Sequence, residues 1–516
     1  MMSALLIKNG MVCDGSGCKP PFRADVLVSG DRIAAIAPDL SPPPAVRVIN
    51  AQDHLVVPGL IDAHAHSDLS LFAAPDAFGK ISQGITTEIN GNCGLSPFPV
   101  TDRNRSHLQS VWKKYGVPIV WNDYDSFADA LAYAKPSVNT AYLCGHNTLR
   151  AAVMGYEDTP LSPQNMEEMR SLLRSAIGQG APGLSTGLLY VPGKFASYRE
   201  LADLMFVLKE TDALYATHLR NEGDDLENAL DEAVSLAACG SGRLHISHLK
   251  TARRENWHKL DSVLARIASA QKNGLSVTAD RYPYIYSQTN LSVILPPPFD
   301  SMPDKDIQVR LNEDACACTR VIKYLDTQDR WDRVILTSAG SHTGKTVAAA
   351  ASECHLSPGE LIVDLLKKDS PGTMAAFDGM SADNMRRILA LDTVCCGTDE
   401  TARPADASLG VSHPRAFGSF PEFFNVCHRA GLPVERIISK MTSLPARIFR
   451  LEKRGLIRAG YYADLLIFQP DRYASRATFA QPHTPADGVR AVIVNGSVAY
   501  EDGVVCAGNG RVLRSV

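Results

Sequence analysis

The stretch Pro58-Gly59-Leu60-Ile61-Asp62-Ala63-His64-Ala65-His66-Ser67-Asp68 decides how the rest of the chain is read. An apolar run ends there in two histidines one residue apart. On an extended strand residues i and i+2 share a face, so His64 and His66 can converge on one point. Two neutral imidazoles held that way form a chelate for a divalent ion, zinc foremost. A His-x-His pair alone carries little, because surface and core histidines fall into the same spacing. Its weight depends on ligands arriving from other strands.

Outward from this stretch, short apolar segments alternate with helical patterns, as in βα units around a parallel sheet. Candidate strands end at His64/His66, Thr87–Ile89, Tyr142–Cys144, Gly183–Ser185, Tyr215–His218, Leu244–His248, Ser276–Asp280 and Thr393–Asp399. Helical periodicity covers Ser162–Ile177, Tyr198–Glu210 and Asp224–Ala238. Eight strands with intervening helices predict an α/β fold, a (β/α)8 TIM-like barrel over residues 56–444. The interval from Asp280 to Thr393 is far longer than a βα loop requires. It predicts an inserted subdomain at 284–342, before the last barrel strand, that contains Pro296-Pro297-Pro298 and acts as a lid or specificity element. Both ends of the chain read as short strands and turns. Ala4–Lys8 leads into Asn9-Gly10, Ala24–Val28 into Ser29-Gly30-Asp31, then Arg32–Ile36; Gly460–Phe468 and Ala491–Val494 precede Asn495-Gly496 and Ser497–Tyr500. Residues 1–55 and 445–516 are therefore expected to build one small β-sandwich domain from both termini.

Composition narrows the function classes. Of 516 residues, 45% are hydrophobic and 21% charged, ordinary proportions for a globular enzyme. A net charge of −4 gives no reason to expect nucleic acid or an anionic membrane as partner. No stretch approaches the ~20 apolar residues of a membrane helix. The opening Met1–Lys8 lacks the basic region and long apolar core of a signal peptide. Twelve cysteines scattered without a scaffold pattern fit reduced thiols, hence a cytoplasmic setting. Cys316-x-Cys318 and Cys395-Cys396 lack the spacing of zinc knuckles and read as structural.

In such barrels the active site lies at the C-terminal ends of the strands, so polar residues there carry the reading. Strand one offers His64 and His66. After strand two comes Gly91-Asn92-Cys93-Gly94, a cysteine in a tight glycine turn. Strand five ends in Thr217-His218, strand six in His245-Ile246-Ser247-His248, strand eight in Gly397-Thr398-Asp399-Glu400. Strand alternation places His245 and His248 on opposite faces. His248 is nearer the strand end, and His245 reads as structural. His146 reads as a hydrogen-bonding neighbour of the site; His54, His107, His258, His342, His355, His428 and His483 fall outside it. A metal held by Cys93, His218 and His248 lowers the pKa of a water from about 16 towards about 7. Asp399 can take that water's proton and deliver it to a leaving nitrogen, and a carboxylate can equally be a ligand.

These residues resemble the amidohydrolase superfamily and, within it, the D-aminoacylases, or N-acyl-D-amino-acid deacylases. The resemblance runs nearly end to end. It includes Leu6–Gly10 with Asp31–Ile36, Pro58–Asp68, Gly91–Ser96, Gly183–Gly193, Ser247–Lys250, Tyr282-Pro283-Tyr284 and His413-Pro414-Arg415 before Phe417–Phe420. It implies zinc-dependent hydrolysis of the amide of a small-molecule N-acyl-D-amino acid, by a monomer or a small homo-oligomer. It implies one tight zinc held by Cys93, His218 and His248, and a weaker second metal position at His64 and His66. Asp399 would be the general acid/base, and Tyr190 a hydrogen-bond donor to the developing oxyanion. Lys250, Tyr282 and Arg415 would hold the substrate carboxylate. One departure stands out: after Tyr284 the family continues with small residues, whereas this chain has Ile285-Tyr286-Ser287-Gln288-Thr289. Gln288 takes the place of the usual carboxylate-binding serine. Two other readings compete: a cyclic-amide hydrolase of the hydantoinase or dihydroorotase kind, and a non-catalytic scaffold. The first often carries a carboxylated lysine at the strand-four end, where this chain has Gly183–Gly187.

Overall fold

The computed structural model describes residues 4–43, 46–506 and 508–515. It is a mixed α/β fold centred on eight parallel strands: Leu60–Asp62, Ile85–Asn90, Asn139–Tyr142 continued by Cys144–Gly145, Gly183–Gly187, Leu214–His218, Arg243–Ile246, Ser276–Arg281 and Val394–Cys396. The third strand is interrupted at Leu143; its first part pairs with strand two and its continuation with strand four. The ring closes where the Ala63 N–H donates to the Cys396 carbonyl at 3.1 Å, and where Ala65 bridges Glu400. Such strands are covered on both faces, which is why they read as apolar runs rather than alternating patterns. Ile61, Ala63, Ile89, Ala141, Leu143, Leu214, Ala216 and Cys395 pack together with Leu444, Ile448 and Phe449. Those last residues plug the N-terminal end of the barrel, where Arg243, the first residue of strand six, donates to the Ile448 carbonyl at 2.7 Å.

Two of the helices that follow the barrel strands bury one stripe each and start on serine caps. Ser162 caps Pro163–Gly178 and Ser197 caps Tyr198–Thr211, each accepting a backbone N–H of the first turn. Leu226–Cys239 starts two residues later than its pattern. No helix among the described residues is long and apolar enough to cross a membrane.

Strands from both ends of the chain share one nine-stranded sheet. Residues 1–3, 44–45, 507 and 516 of the terminal segments lie outside the described residues. Leu465, Ile467, Ala491 and Ile493 join Ile7, Val26 and Val28 in one apolar cluster. Their alternates Leu466, Phe468, Val492 and Val494 face the barrel. Asn9-Gly10, expected to turn, instead lies inside the strand Ala4–Val12. Asn9 has φ 64° and its N–H reaches Asp25 Oδ1 at 2.8 Å, and the register slips between Ile7 and Gly10, which makes a bulge. Asn495-Gly496 does turn, with φ 48° and 79°.

Between strands seven and eight, Tyr286–Asn290, Val334–Ser338 and Met374–Asp378 form a separate antiparallel sheet. Its own core includes Leu291, Leu311, Val321, Leu336, Ile362 and Ala375. The expected limit at His342 falls inside this unit. Met374–Asp378 is its central strand and pairs with both others, so the insert reaches Asp378.

Candidate functional site

The side chains at the C-terminal mouth of the barrel sit just beyond the strands, on backbone built to turn them inward. Gly91, Cys93 and Gly94 have φ of 72°, 52° and 76°. A Cβ on Gly91 would meet the Leu143 carbonyl oxygen at 2.2 Å, and one on Gly94 would meet Asn147 Oδ1 at 2.1 Å, so both positions require glycine. His248 (φ 36°) and Asp399 (φ 53°) are also left-handed. For non-glycine residues that conformation costs on the order of 1 kcal/mol or more and persists only where the surroundings enforce it. Here Asp280 Oδ1 accepts the His248 N–H at 3.0 Å, and the Asp399 N–H donates to the His64 carbonyl at 2.8 Å.

Three overlapping donor groups result: His64, Cys93 and His248; His64, His66 and Asp399; His218, Glu222 and His248. Cys93 Sγ lies 3.4 Å from His64 Nε2 and 3.5 Å from His248 Nε2. Asp399 Oδ1 lies 3.2 Å from His66 Nε2 and 3.6 Å from His64 Nε2. His64 and His66 therefore converge as i and i+2, although they lie past the end of Leu60–Asp62 rather than within it. His218 is buried and both its ring nitrogens lack a hydrogen-bond partner. Its ring is 4.5 Å from that of His248.

Burial would push the Cys93 thiol up, but His64 and His248 beside it hold it well below its ordinary value, favouring thiolate. Burial would likewise raise Asp399, and Arg415, with His66, holds it well below the usual carboxylate range. Arg415 Nη1 donates to Asp399 Oδ2 at 2.8 Å, in a buried ion pair rather than a surface one. Two guanidiniums approach the Tyr282 ring, Arg281 at 4.2 Å and Arg415 at 4.8 Å from its centre. Lys250 Nζ is engaged by His248 Nδ1 at 2.7 Å and Glu222 Oε1 at 2.5 Å. Tyr190 packs its ring 5.2 Å from that of His218. Burial, then the charges of Cys93, Glu222 and Asp399, push its hydroxyl well up, so it keeps the proton it would donate; Thr289 of the insert works weakly the other way. Gln288, on the opposite face of that strand, has its Oε1 buried without a partner.

His245 is not remote from this cluster. Strand six ends at Ile246, so the alternation that would separate His245 from His248 does not extend to His248. His245 Nε2 meets Asp280 Oδ2 at 3.1 Å, the oxygen that His64 Nδ1 meets at 3.0 Å. His146 belongs to a different network, with Nε2 3.0 Å from Glu200, which also pairs with Arg150. Cys316 is exposed, and neither it nor Cys318, Cys395 or Cys396 joins a donor group.

Three functional residues escaped the sequence reading. Asp280 is the last residue but one of strand seven, a polar residue near a strand end like the others; it orients His64 and fixes the backbone of His248. Glu222 lies in a loop, and its His218-x-x-x-Glu222 spacing is the only sequence sign. Lys80, fully buried, sits 2.8 Å from Asp62 and 3.0 Å from Glu88 and donates to Thr398 Oγ1 at 2.8 Å. It ties strands one, two and eight together beneath the histidines, and nothing in the sequence marks a lysine in Phe78–Ile81 as buried.

A parallel eight-stranded barrel whose mouth gathers four histidines, a cysteine and an aspartate defines a hydrolase-type barrel of the amidohydrolase class. The comparisons agree. The chain matches the amidohydrolase family over residues 47–278 and 366–500, and most of the unmatched interval lies in the insert. It is 33% identical to an N-acyl-D-glutamate deacylase of Alcaligenes xylosoxydans xylosoxydans, covering 99% of this chain and 96% of that one. An N-acyl-D-glutamate deacylase of Bordetella bronchiseptica, solved with zinc and a phosphonate mimic of the tetrahedral intermediate, superposes with a TM-score of 0.82. It is 31% identical over 100% of both chains. A D-aminoacylase with a binuclear metal centre superposes with a TM-score of 0.81, at 32% identity over 99% of both. The chain belongs to the amidohydrolase family, in its D-aminoacylase branch.

Proposed function

We propose that this protein hydrolyses the amide of an N-acyl-D-amino acid to a carboxylate and a free D-amino acid, with zinc bound at the barrel mouth. The observation that carries the reading is the Cys93 thiol between two imidazoles, beside a His218 whose buried ring nitrogens have no hydrogen-bond partner, the Glu222 carboxylate standing 3.7 Å from Nε2. Buried polar atoms without partners are costly, and soft thiolate with imidazole is a zinc-type donor set. Cys93, His218 and His248 are assigned to the tight ion. His64 and His66, with Asp399, are assigned to a weaker second position. A bound zinc polarises the amide carbonyl and makes a water nucleophilic near neutral pH.

The remaining roles fall to the chain's own groups. Asp399, held ionised, accepts the proton of the attacking water and passes it to the leaving nitrogen. Tyr190 keeps its O–H and donates it to the oxygen where charge develops. Arg415, stacked on Tyr282, and Lys250 offer cations to the substrate's α-carboxylate. The division into a terminal β-domain (1–55 and 445–516), a barrel (56–444) and an insert within it is part of the same reading. So is a cytoplasmic setting, which the twelve unpaired thiols support. The cyclic-amide alternative is not retained, since Gly183–Gly187 carries no lysine and the full-length relatives are deacylases of linear N-acyl amino acids.

Metal removal tests the proposal. Dialysis against a chelator is expected to reduce turnover of N-acetyl-D-amino acids to background, and one equivalent of zinc to restore it. Turnover that persists in metal-free protein, checked by elemental analysis, would sink the metal assignment.

A further inference from the structure

A cavity of about 130 Å³ lies where the insert meets the barrel. One wall is Glu222 and Lys250, which touch His248; the others include Arg253, Ser287, Arg330, Arg333, Asp378 and Met380. Its place beside the reacting centre follows from one strand of the insert. In Tyr286–Asn290, Ser287 and Thr289 share a face; Ser287 lines the cavity while Thr289 lies close enough to Tyr190 to influence its hydroxyl.

The lining is cationic and incompletely paired. Lys250 is matched by Glu222, Arg253 by Asp224 and Arg333 by its neighbour Asp332. Among the described residues Arg330 has no carboxylate within 4 Å, its Nε is buried without a partner, and its guanidinium only stacks 5.4 Å above Trp331. The other carboxylate of the lining, Asp378, is within 4 Å of none of these cations. Behind Met380 stands a second unmatched guanidinium. Arg281 is 1% exposed, and its Nη2 reaches only the Tyr284 carbonyl and Met380 Sδ, both at 2.9 Å. Its Nε and Nη1 have no partner. Arg281 does not line the cavity, but the lining itself carries Lys250, Arg253, Arg330 and Arg333 against only Glu222 and Asp378; the half-buried Arg330, without a carboxylate of its own, is a cation that an anion entering the cavity can meet.

We infer that this cavity is a subsite for a second carboxylate of the substrate, beyond the α-carboxylate, with Arg330 and Arg333 as its specificity-determining residues. The inference rests on the deacylase reading above. The second carboxylate can belong to the amino-acid side chain or to the acyl group; the shared chemistry is a short carboxylate-tipped chain.

The test compares kcat/KM for N-acetyl-D-leucine, N-acetyl-D-glutamate and N-succinyl-D-leucine in the zinc-loaded wild type, in Arg330→Gln and in Arg330→Gln/Arg333→Gln. At least one dianionic substrate is expected to exceed N-acetyl-D-leucine by about tenfold or more, as charge-assisted hydrogen bonds give. Whichever of the two gains identifies the carboxylate's source. The substitutions are expected to erase most of that ratio, and Arg330→Lys to retain part of it. N-acetyl-D-leucine as the best substrate, or a ratio that survives the double substitution, overturns the subsite while leaving the deacylase reading standing. Absence of turnover on all three, with zinc bound and the fold intact by circular dichroism, overturns the deacylase reading and the subsite with it.

Discussion

Asp399→Asn is expected to lower kcat on a good N-acyl-D-amino acid by about 10³-fold, within the ~10²–10⁴ range that positioned general acid–base groups contribute. The carboxylate lies between imidazole and guanidinium, with Oδ1 on His66 and His64 and Oδ2 on Arg415. It is thus poised as an acceptor at the point where a water and the scissile nitrogen must both be reached. Asparagine keeps the shape and the hydrogen bond to Arg415 but cannot take a proton. The Asp399 backbone, at φ 53°, tolerates asparagine better than most residues, so the fold and zinc content should persist. Alanine at the same position should lose as much turnover. A kcat within tenfold of wild type in either variant, at normal zinc content, would mean that another group moves the proton.

Cys93→Ala is the second large effect. Alanine leaves His64 and His248 without the thiol that sits 3.4 and 3.5 Å from their Nε2 atoms. Zinc–thiolate bonding is the softest and strongest contact this donor set offers. Bound zinc should fall below one equivalent after dialysis, and kcat/KM should drop by about 10³-fold or more, because water activation depends on the ion. The readout independent of activity is metal content by elemental analysis, with circular dichroism to confirm folding. The turn should survive, since its constraint lies in Gly91 and Gly94, whose positions admit no Cβ. Full zinc occupancy in Cys93→Ala would remove the cysteine from the metal centre.

How much was legible follows the physics of each element. The barrel strands were readable because burial on both faces makes them continuous apolar runs, and their polar termini point to the mouth. His64, His66, Cys93, His218, His248 and Asp399 were found that way, and the structure brings them into overlapping donor groups. Asp280, one residue before the end of its strand, follows the same rule. Glu222 and Lys80 were not legible, because a loop carboxylate and a lysine in a one-turn helix look solvated until tertiary packing encloses them. His245 and His248 do not follow strand alternation because the strand ends at Ile246, before His248. The bulge at Asn9 and the turn at Asn495 show the same dipeptide resolving differently. Asn9 N–H finds Asp25 across an ongoing ladder, whereas Asn495-Gly496 stands between two strands that pair with each other. The insert's end was placed too early because its central strand, Met374–Asp378, lies last in sequence.

Release of free amino acid from matched N-acetyl-D- and N-acetyl-L-amino acids by the zinc-loaded protein decides whether this is a D-aminoacylase in activity as well as in family. D-substrates are expected to turn over, with kcat/KM for the L-enantiomers lower by orders of magnitude. Turnover confined to L-substrates or to cyclic amides would contradict that assignment.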